Sequence, residues 1–385
     1  MAPKQYDYII AGAGCAGLSL LMRMMEDSYF SQKKILVVDR EIKNKNDRTW
    51  CFWEKGDGLF ESIIHYQWQQ VIFKTKDYFE TFDLKPYRYK MIQGIDLYNT
   101  VIEKAANYPN IEFRKEEVLS ICSTSSKAEL QLQDETLTAE YIFNSILFEK
   151  DKKANSKNVY QLLQHFKGWV IETNEPSFDP LVATLMDFGT GQEQGTTFFY
   201  VMPTSTKSAL IEYTLFSEKL LSNEAYDDSL KQYISEQLGI KEYSILHVEF
   251  GIIPMTNQQF PLQDQRIVHM GVTGGQVKGS SGYAFQFIQK RTAAIVEGLK
   301  EVETKFDRIN FQQKKGNLYD AVLLNVLHHQ KMQGDDIFQS IFSKNKIVSV
   351  LRFLDNESSI LEDLKIMNSV PINIFLPAAL YELSH

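Results

Sequence analysis

Gly12-Ala13-Gly14-Cys15-Ala16-Gly17 sets three glycines at the spacing G-x-G-x-x-G. The apolar run Tyr6 to Ala11 precedes it, and the apolar, helix-forming run Leu18 to Met25 follows. A second apolar run, Lys34 to Val38, ends in Asp39, 22 residues beyond Gly17. Residues of these types at this spacing capture dinucleotides. Gly12 permits a tight turn, Gly14 lets the backbone approach a pyrophosphate, and Gly17 lets helix and strand pack closely. The N–H groups of the helix start, among them those of Ala13 and Ala16, would face the phosphates. Asp39, followed by Arg40, would bind the adenosine ribose.

A second kind of chemistry is offered by Glu212, in Ala209-Leu210-Ile211-Glu212-Tyr213-Thr214. Strand alternation places Leu210, Glu212 and Thr214 on one face, with Ile211 and Tyr213 on the other. A carboxyl in apolar surroundings has its pKa raised and can stay protonated near neutrality, as a proton donor requires. The competing reading is a solvated strand residue. Trp50, Trp53, Trp169 and Tyr200 could stabilise a developing cation through their ring faces, by about 2 kcal/mol or more each when desolvated. Ordinary core packing is the alternative for each of them. His165 could relay a proton or be a hydrogen-bonded structural histidine. Asp187, between Met186 and Phe188, is either a further acid or a buried structural one.

The elements that must position these residues are legible in outline. The pattern predicts strands over 6–11 and 34–38 and a helix between them. Short strands are expected within 66–91, a helix over 94–107, and a third parallel strand at Ile111 to Phe113. Strands then follow at 117–123, 128–133 and 137–147. The block 159–255 is rich in strand signals, with one helix at about 224–238. Ile267 to Gly271 reads as a returning nucleotide-domain strand, 283–300 as a long helix, and 301–385 as mostly helical. The fold expected is α/β: a discontinuous Rossmann-like, hydroxylase-type FAD-binding domain (1–65, 92–158 and 256–300), an inserted antiparallel-sheet substrate domain (66–91 and 159–255), and a helical C-terminal region. An N-terminal fingerprint, an inserted sheet and a late glycine-rich return are how FAD enzymes of the hydroxylase type are arranged.

Composition narrows the partners. With 385 residues, the chain is long enough for two or three lobes. Lys and Arg number 41 against 49 Asp and Glu, a net charge of −8, and no basic stripe appears, so nucleic acid is not expected. Cys15, Cys51 and Cys122 are scattered, which suits a reducing cytoplasm and shows no metal-ligand spacing. A strand beginning at residue 6 leaves no room for a signal peptide. No apolar run approaches the length of about 18 residues needed to span a membrane. The 25 Phe and 19 Tyr fit either a bulky core or an apolar ligand channel.

Several segments resemble those of the lycopene cyclases, FAD-dependent flavoproteins that close the end rings of lycopene. They are Asp47-Arg48-Thr49-Trp50-Cys51-Phe52-Trp53, Gln164-His165-Phe166-Lys167-Gly168-Trp169, Met186-Asp187-Phe188, Phe199-Tyr200-Val201-Met202-Pro203 and Leu210-Ile211-Glu212-Tyr213-Thr214, then Gly251-Ile252-Ile253-Pro254-Met255, Gly271-Val272-Thr273-Gly274-Gly275, Ser280-Ser281-Gly282-Tyr283 and Leu351-Arg352-Phe353-Leu354-Asp355. They fall in the family's order across almost the whole chain. The resemblance implies a β-cyclase isomerase acting on lycopene and related carotenoids, with reduced FAD stabilising a cation. NAD(P)H would be the external reductant. It assigns catalysis to Glu212. The second acid that plant members carry beside it is Tyr213 here, which puts a two-acid mechanism at this motif in doubt. Flavin hydroxylases end the returning strand with Gly-Asp; here it ends Met270-Gly271-Val272, so Gly271, Gly282 and Tyr283 would meet the flavin end. Arg48 and Thr49 are candidate isoalloxazine or phosphate contacts, and Val118 a clamp on adenine. Lycopene is a membrane solute, so peripheral contact with the cytoplasmic membrane is expected, with Val370 to Leu380 as the candidate surface or as a core-closing element. The alternative function is an FAD-dependent redox enzyme of the same fold, a hydroxylase or isoprenoid reductase.

Overall fold

A computed structural model describes residues 4–41, 43–148, 159–301 and 305–384. The stretch 149–158, expected to end the second FAD-domain segment, lies outside the described residues. β1 (Gln5–Ala11) passes through the glycine turn into α1 (Cys15–Glu26) and returns as β2 (Ile35–Asp39). Then come β3 (Thr49–Lys55), β4 (Tyr66–Trp68), β5 (Gln70–Lys74), β6 (Phe79–Asp83) and β7 (Tyr87–Gln93). The chain re-enters the nucleotide part through α2 (Gly94–Ala105), β8 (Ile111–Lys115), β9 (Ser120–Ser123), β10 (Ala128–Gln131) and β11 (Thr136–Asn144). The inserted block holds β12 (Gln161–Thr173), β13 (Val182–Asp187), β14 (Thr196–Pro203), β15 (Ser208–Ser217), α3 (Asn223–Gln232) and β16 (Tyr243–Thr256). β17 (Gln263–Asp264), β18 (Ile267–His269) and α4 (Phe285–Leu299) complete the nucleotide part. α5 (Phe311–His328), α6 (Gly334–Lys344), α7 (Ile347–Leu354), α8 (Ile360–Met367) and α9 (Ile372–Ser384) form the C-terminal region.

Three sheets result. The first runs β17-β18-β11-β1-β2-β8, with β10 and β9 extending from β11. Its centre is parallel: β1 pairs with β2 and β11, β2 with β8, and β11 with β18. Parallel strands need both faces covered, and their near-continuous apolar runs reflect this. Ile10, Val37 and Phe143 pack against α1, α2 and α4, while Ile9, Val38 and Ile142 face the opposite layer. The second sheet runs β16-β12-β15-β14-β13-β5-β6. It is antiparallel except where β5 runs parallel to β13. The architecture is thus α/β with a parallel nucleotide sheet, an inserted sheet and a helical end.

The third sheet, β3-β7-β4, departs from the expected division. Residues 66–91 do not all join the inserted sheet: β5 and β6 do, but β4 and β7 pair with β3. The cause is apolar matching. Trp53, Trp68, Tyr89 and Met91 pack into the same core as Phe198, Tyr200 and Leu210 of the second sheet. The small sheet therefore covers one face of the large one. The other face, with Trp169, Ile171, Phe199, Ile211, Tyr213 and Leu215, packs beneath α3.

Helix and strand meet most closely at Gly17, where a Cβ would lie 2.0 Å from the Gly12 carbonyl oxygen. At Gly14 no atom lies within 4 Å of such a Cβ. Gly17→Ala is expected to lower stability by about 1–3 kcal/mol through forced displacement of α1. Gly14→Ala should melt near the parent temperature. Thermal unfolding of the two variants checks this contrast.

Candidate active site

The nucleotide end is built by β1, α1 and β2. Gly12 turns at φ +100°, a backbone conformation that side chains rarely adopt. Its carbonyl oxygen lies under Gly17, so the turn stays tight only without a side chain there. Gly14 caps α1 and opens onto free space. No side chain caps this helix start and no acid lies in its first turn, so its N–H groups remain available to an anion. Asp39, at the end of β2, accepts from Ala13 N at 2.7 Å and from Glu41 N at 2.9 Å. Beside it is a cavity of about 360 Å³ lined by Arg40, Lys43, Asp47, Tyr98 and Lys115, among others. Val118 is buried with Ile9 and Val38 on the far side of the sheet. These residues fit a dinucleotide pyrophosphate and its ribose.

Two segments carry this end towards the inserted sheet. Gly271 turns at φ +62°, and a Cβ there would touch the Ala16 side chain at 3.3 Å. The same loop ends at Gly282, φ +70°, where a Cβ would lie 2.1 Å from Gln164 Oε1 on β12. The late loop thus spans from the start of α1 to the second sheet. β3 makes the other link. Arg48 just before it accepts from Gly94 N through its carbonyl and pairs with Asp47 through its side chain at 3.4 Å. The charge of Arg48 acts on both Cys15, in the glycine turn, and Glu249, on β16. Buried Gln164 Oε1 and Trp50 Nε1 have no hydrogen-bond partner among the described residues. Unpaired buried polar atoms of this kind mark places where a ligand can complete the bonding.

The acid lies on the second sheet. Cross-strand register places Tyr200, Glu212, Gly168 and Glu249 in one row over β14, β15, β12 and β16. A Cβ at Gly168 would come within 3.0 Å of Leu210 and 3.1 Å of the Glu249 side chain. Glycine there opens the space into which the flanking side chains lean. Glu212 accepts from Thr214 Oγ1 at 2.8 Å and is 9% exposed. Burial, then the charge of Glu249, push its carboxyl up to about 8, against the Thr214 hydrogen bond. Glu249, 4% exposed, accepts from Thr49 Oγ1 at 2.9 Å. Burial raises its pKa too, opposed by Thr49 and Arg48. Cys51, Tyr89, Tyr200 and Tyr283 all interact electrostatically with Glu212. Burial holds each above its ordinary value, so all four stay neutral.

Of the aromatic candidates, Tyr200 lies opposite Glu212, with its hydroxyl 3.4 Å from that of Tyr283. Trp53 meets Tyr283 edge-on at 4.7 Å, and Trp50 packs against Phe285 at 6.1 Å. Trp169 is not brought to this cluster. It sits one residue beyond Gly168, so its side chain lies on the α3 face, against Tyr243. His165 shares that face, bonded to Ser217 Oγ at 2.8 Å and Tyr226 OH at 2.6 Å, and burial lowers its pKa. Asp187 accepts from Tyr233 OH at 2.8 Å, Lys74 Nζ at 3.1 Å and Gly189 N at 2.7 Å, which ties β13 to β5 and to the turn after α3. Glu249 was missed from sequence. Its signal is a lone acid between Val248 and Phe250 in a strand whose alternation is inverted: the apolar neighbours are exposed and the acid is buried. Among the described residues no His, Cys, Asp and Glu cluster could hold a metal ion.

Comparison with known proteins agrees with this geometry. No curated protein matches the chain. A geranylgeranyl bacteriochlorophyll reductase-like protein from Thermoplasma acidophilum superposes with a TM-score of 0.67 at 13% identity, covering 100% of this chain and 99% of that one. A flavoprotein/dehydrogenase from Cytophaga hutchinsonii gives 0.62 at 11% identity, covering 99% of each. A mutant halogenase in complex with FAD gives 0.58 at 10% identity, covering 91% of this chain and 79% of that one. At these identities the likeness is one of fold. The lycopene cyclase protein family matches residues 7–379, nearly the full length, and the chain belongs to that family.

Proposed function

We propose that this protein is a lycopene β-cyclase that binds FAD and converts lycopene, through γ-carotene, to β-carotene. The observation that carries the reading is the buried carboxyl of Glu212, kept protonated near neutrality on an apolar sheet face. A polyene has no good basic site, so its protonation needs a water-free acid held against it. Glu212 gives its proton to the terminal double bond, the neighbouring double bond attacks the resulting cation, and loss of a ring proton ends the step. Atoms balance and no net electrons are transferred. Reduced FAD, supplied with electrons by NAD(P)H, would provide a fixed negative partner for the cation. Gly12, Gly14, Ala16 and Gly17 would hold its pyrophosphate. Asp39, which takes the Ala13 N–H and so withholds it from a phosphate, would bind its ribose with Arg40, and Val118 would meet the adenine side. Arg48, Thr49, Gly271, Gly282 and Tyr283 flank the ring end. Tyr200 and Trp53 are the aromatic groups placed to lower the energy of the cation, whereas Trp50 lies on the other face of β3, against Phe285 in the nucleotide core. Trp169, His165 and Asp187 serve the opposite face and its edges.

Because lycopene dissolves in membranes, we infer peripheral docking at the cytoplasmic membrane. No helix among the described residues is long and apolar enough to cross a bilayer. α9 uses Ala378 and, in part, Phe375 and Ala379 to close a small core with Val322 and Val326. Its other side leaves Ile372, Leu376, Leu380 and Leu383 exposed, a spacing that forms one stripe. α8 adds Ile360, Leu361 and Leu364. The segment thus closes a core on one side and offers an apolar stripe on the other, as an interfacial helix does.

Expression in lycopene-accumulating cells is expected to yield β-carotene, and Glu212→Gln to lower conversion by about 10²-fold or more with flavin retained. Unchanged lycopene beside a folded, flavin-loaded protein would sink the proposal, and substrate-dependent net consumption of NAD(P)H or oxygen would favour redox chemistry. A stability signature accompanies the acid. Its pKa rises from 4.5 in the unfolded chain to about 8 on folding, so its contribution is full below 4.5 and is lost as pH rises through 8. Glu212→Gln should remove that loss, which amounts to up to about 1.4 kcal/mol per pH unit across the window. Denaturant unfolding at pH 5 and pH 9 measures it. For docking, Leu376→Glu combined with Leu380→Glu should cut binding to phosphatidylcholine vesicles about tenfold or more, on the cost of burying charge at an interface, while leaving melting unchanged.

A further inference from the structure

Glu249 is a buried carboxylate that the reaction outlined above does not use. It stands two strands from Glu212, on the same sheet face, with only Gly168 between them. Two carboxyls sharing a dry site cannot both ionise at neutral pH, so such a pair holds one proton. The neighbouring groups decide where that proton sits. Glu249 receives Thr49 Oγ1 at 2.9 Å and a further hydrogen bond from the Thr49 backbone, and Arg48 adds positive charge nearby. Asp47 opposes Arg48 in part. Around Glu212 the single donor among the described residues is Thr214 Oγ1. The other titratable groups facing it, Cys51, Tyr89, Tyr200 and Tyr283, are neutral and supply no cation.

We propose that Glu249 is the ionised positioning partner of the acid, held charged by Thr49 across the gap kept open by Gly168, so that the pair's one proton resides on Glu212. This rests on the reading of Glu212 as the proton donor. The arrangement has a direct chemical use. A fixed negative charge beside Glu212 keeps that carboxyl loaded at neutral pH, and the same charge favours the positive charge that appears in the substrate. The proton leaves Glu212 for the terminal carbon, the ring bond forms, and the proton released at ring closure returns to the Glu212 carboxylate. The repulsion of Glu249 drives that return. Thr49 also links the pair to the nucleotide end, since it opens β3 directly after Arg48.

The test combines the pH profile of carotenoid conversion with infrared titration of the protonated-carboxyl band, in flavin-loaded and flavin-free protein. In the parent, conversion and the band should both fall with a midpoint near pH 8. Glu249→Gln should move both midpoints at least about one pH unit lower, the tenfold effect of removing one nearby charge. Thr49→Val keeps both carboxyls but lets the proton spread to Glu249, so it should lower conversion at every pH without moving the limb down. At pH 7 Glu212→Gln should lose the part of the band that titrates near pH 8 in the parent, leaving only the contribution of Asp355, whose carboxyl burial pushes up to about 7. Survival of that part in Glu212→Gln with its loss in Glu249→Gln would overturn the assignment, as would an unmoved midpoint in folded Glu249→Gln. If Glu249→Gln does not fold, Thr49→Val and Glu212→Gln decide the matter by the same two readouts. If Glu212→Gln still cyclises carotenoids, the catalytic reading falls, while the infrared midpoints still report whether the two carboxyls share one proton.

Discussion

A carboxyl confined to an apolar sheet face is the constraint around which the molecule is arranged. Glu212 is buried among Leu210, Tyr200 and the rings of the small sheet, where ionisation is strongly disfavoured. The protein does not neutralise it with a buried cation, as it does elsewhere. Lys90 sits between Glu54 and Glu61, Lys278 binds Asp320, and Lys315 binds Asp363. Those pairs lock loops and helices in place. Glu212 is instead left with a hydroxyl donor and a like-charged neighbour, an arrangement that costs stability above neutral pH and suits the proposed role of giving up a proton.

The fold brings the dinucleotide grip and this carboxyl to one seam by two short routes. One is the late loop, which starts against Ala16 and ends against Gln164. Positive φ at Gly271 and Gly282 is what lets its ends approach so closely. The other is β3, whose first residue bonds Glu249 and whose later residues, Phe52 and Trp53, enter the nucleotide core and the inserted-sheet core respectively. The third sheet is therefore more than a cover. It transmits the position of the nucleotide part to the sheet that carries the acid.

Much of this was legible in the chain. The glycine turn, β2 with its terminal Asp39 and the parallel return at β18 follow from local patterns, because each is fixed by residues close in sequence. Glu212 was legible because strand alternation pairs it with Leu210. What was not legible depends on register between strands distant in sequence. Residue 168 faces residue 212 on one side and residue 249 on the other, and no local period encodes that pairing. The same cause decides Trp169 and His165, which the sequence left open between a site role and a structural one. Both lie in a segment that contains a site residue, but an odd step along β12 sends them under α3. Which sheet β4 and β7 join was not legible either, since short strands with large rings suit either sheet until tertiary packing decides.

The inverted pattern of β16 shows how strongly the site shapes its surroundings. A second acid at position 213 could not serve Glu212, because successive side chains on a strand point to opposite faces. Tyr213 accordingly stacks on Phe199 at 4.8 Å, beneath α3, where a carboxylate would be buried without a partner. A carboxyl meant to share a proton with Glu212 must come from another position on the same face. β15 itself offers Leu210 and Thr214 there, one for packing and one for the hydrogen bond. The adjacent position on β12 is Gly168, where even a Cβ would press on Leu210 and Glu249 at 3.0 and 3.1 Å. The next strand outward is β16, and Glu249 is its residue in register. Placing an acid inward on that edge strand turns Val248, Phe250 and Ile252 outward, to between 44% and 49% exposure. Exposed apolar residues on an edge strand are ordinarily avoided because they invite strand pairing. The inward place on this strand goes to an acid although apolar residues stand on either side of it, which is what the proposed proton-sharing role of Glu249 calls for.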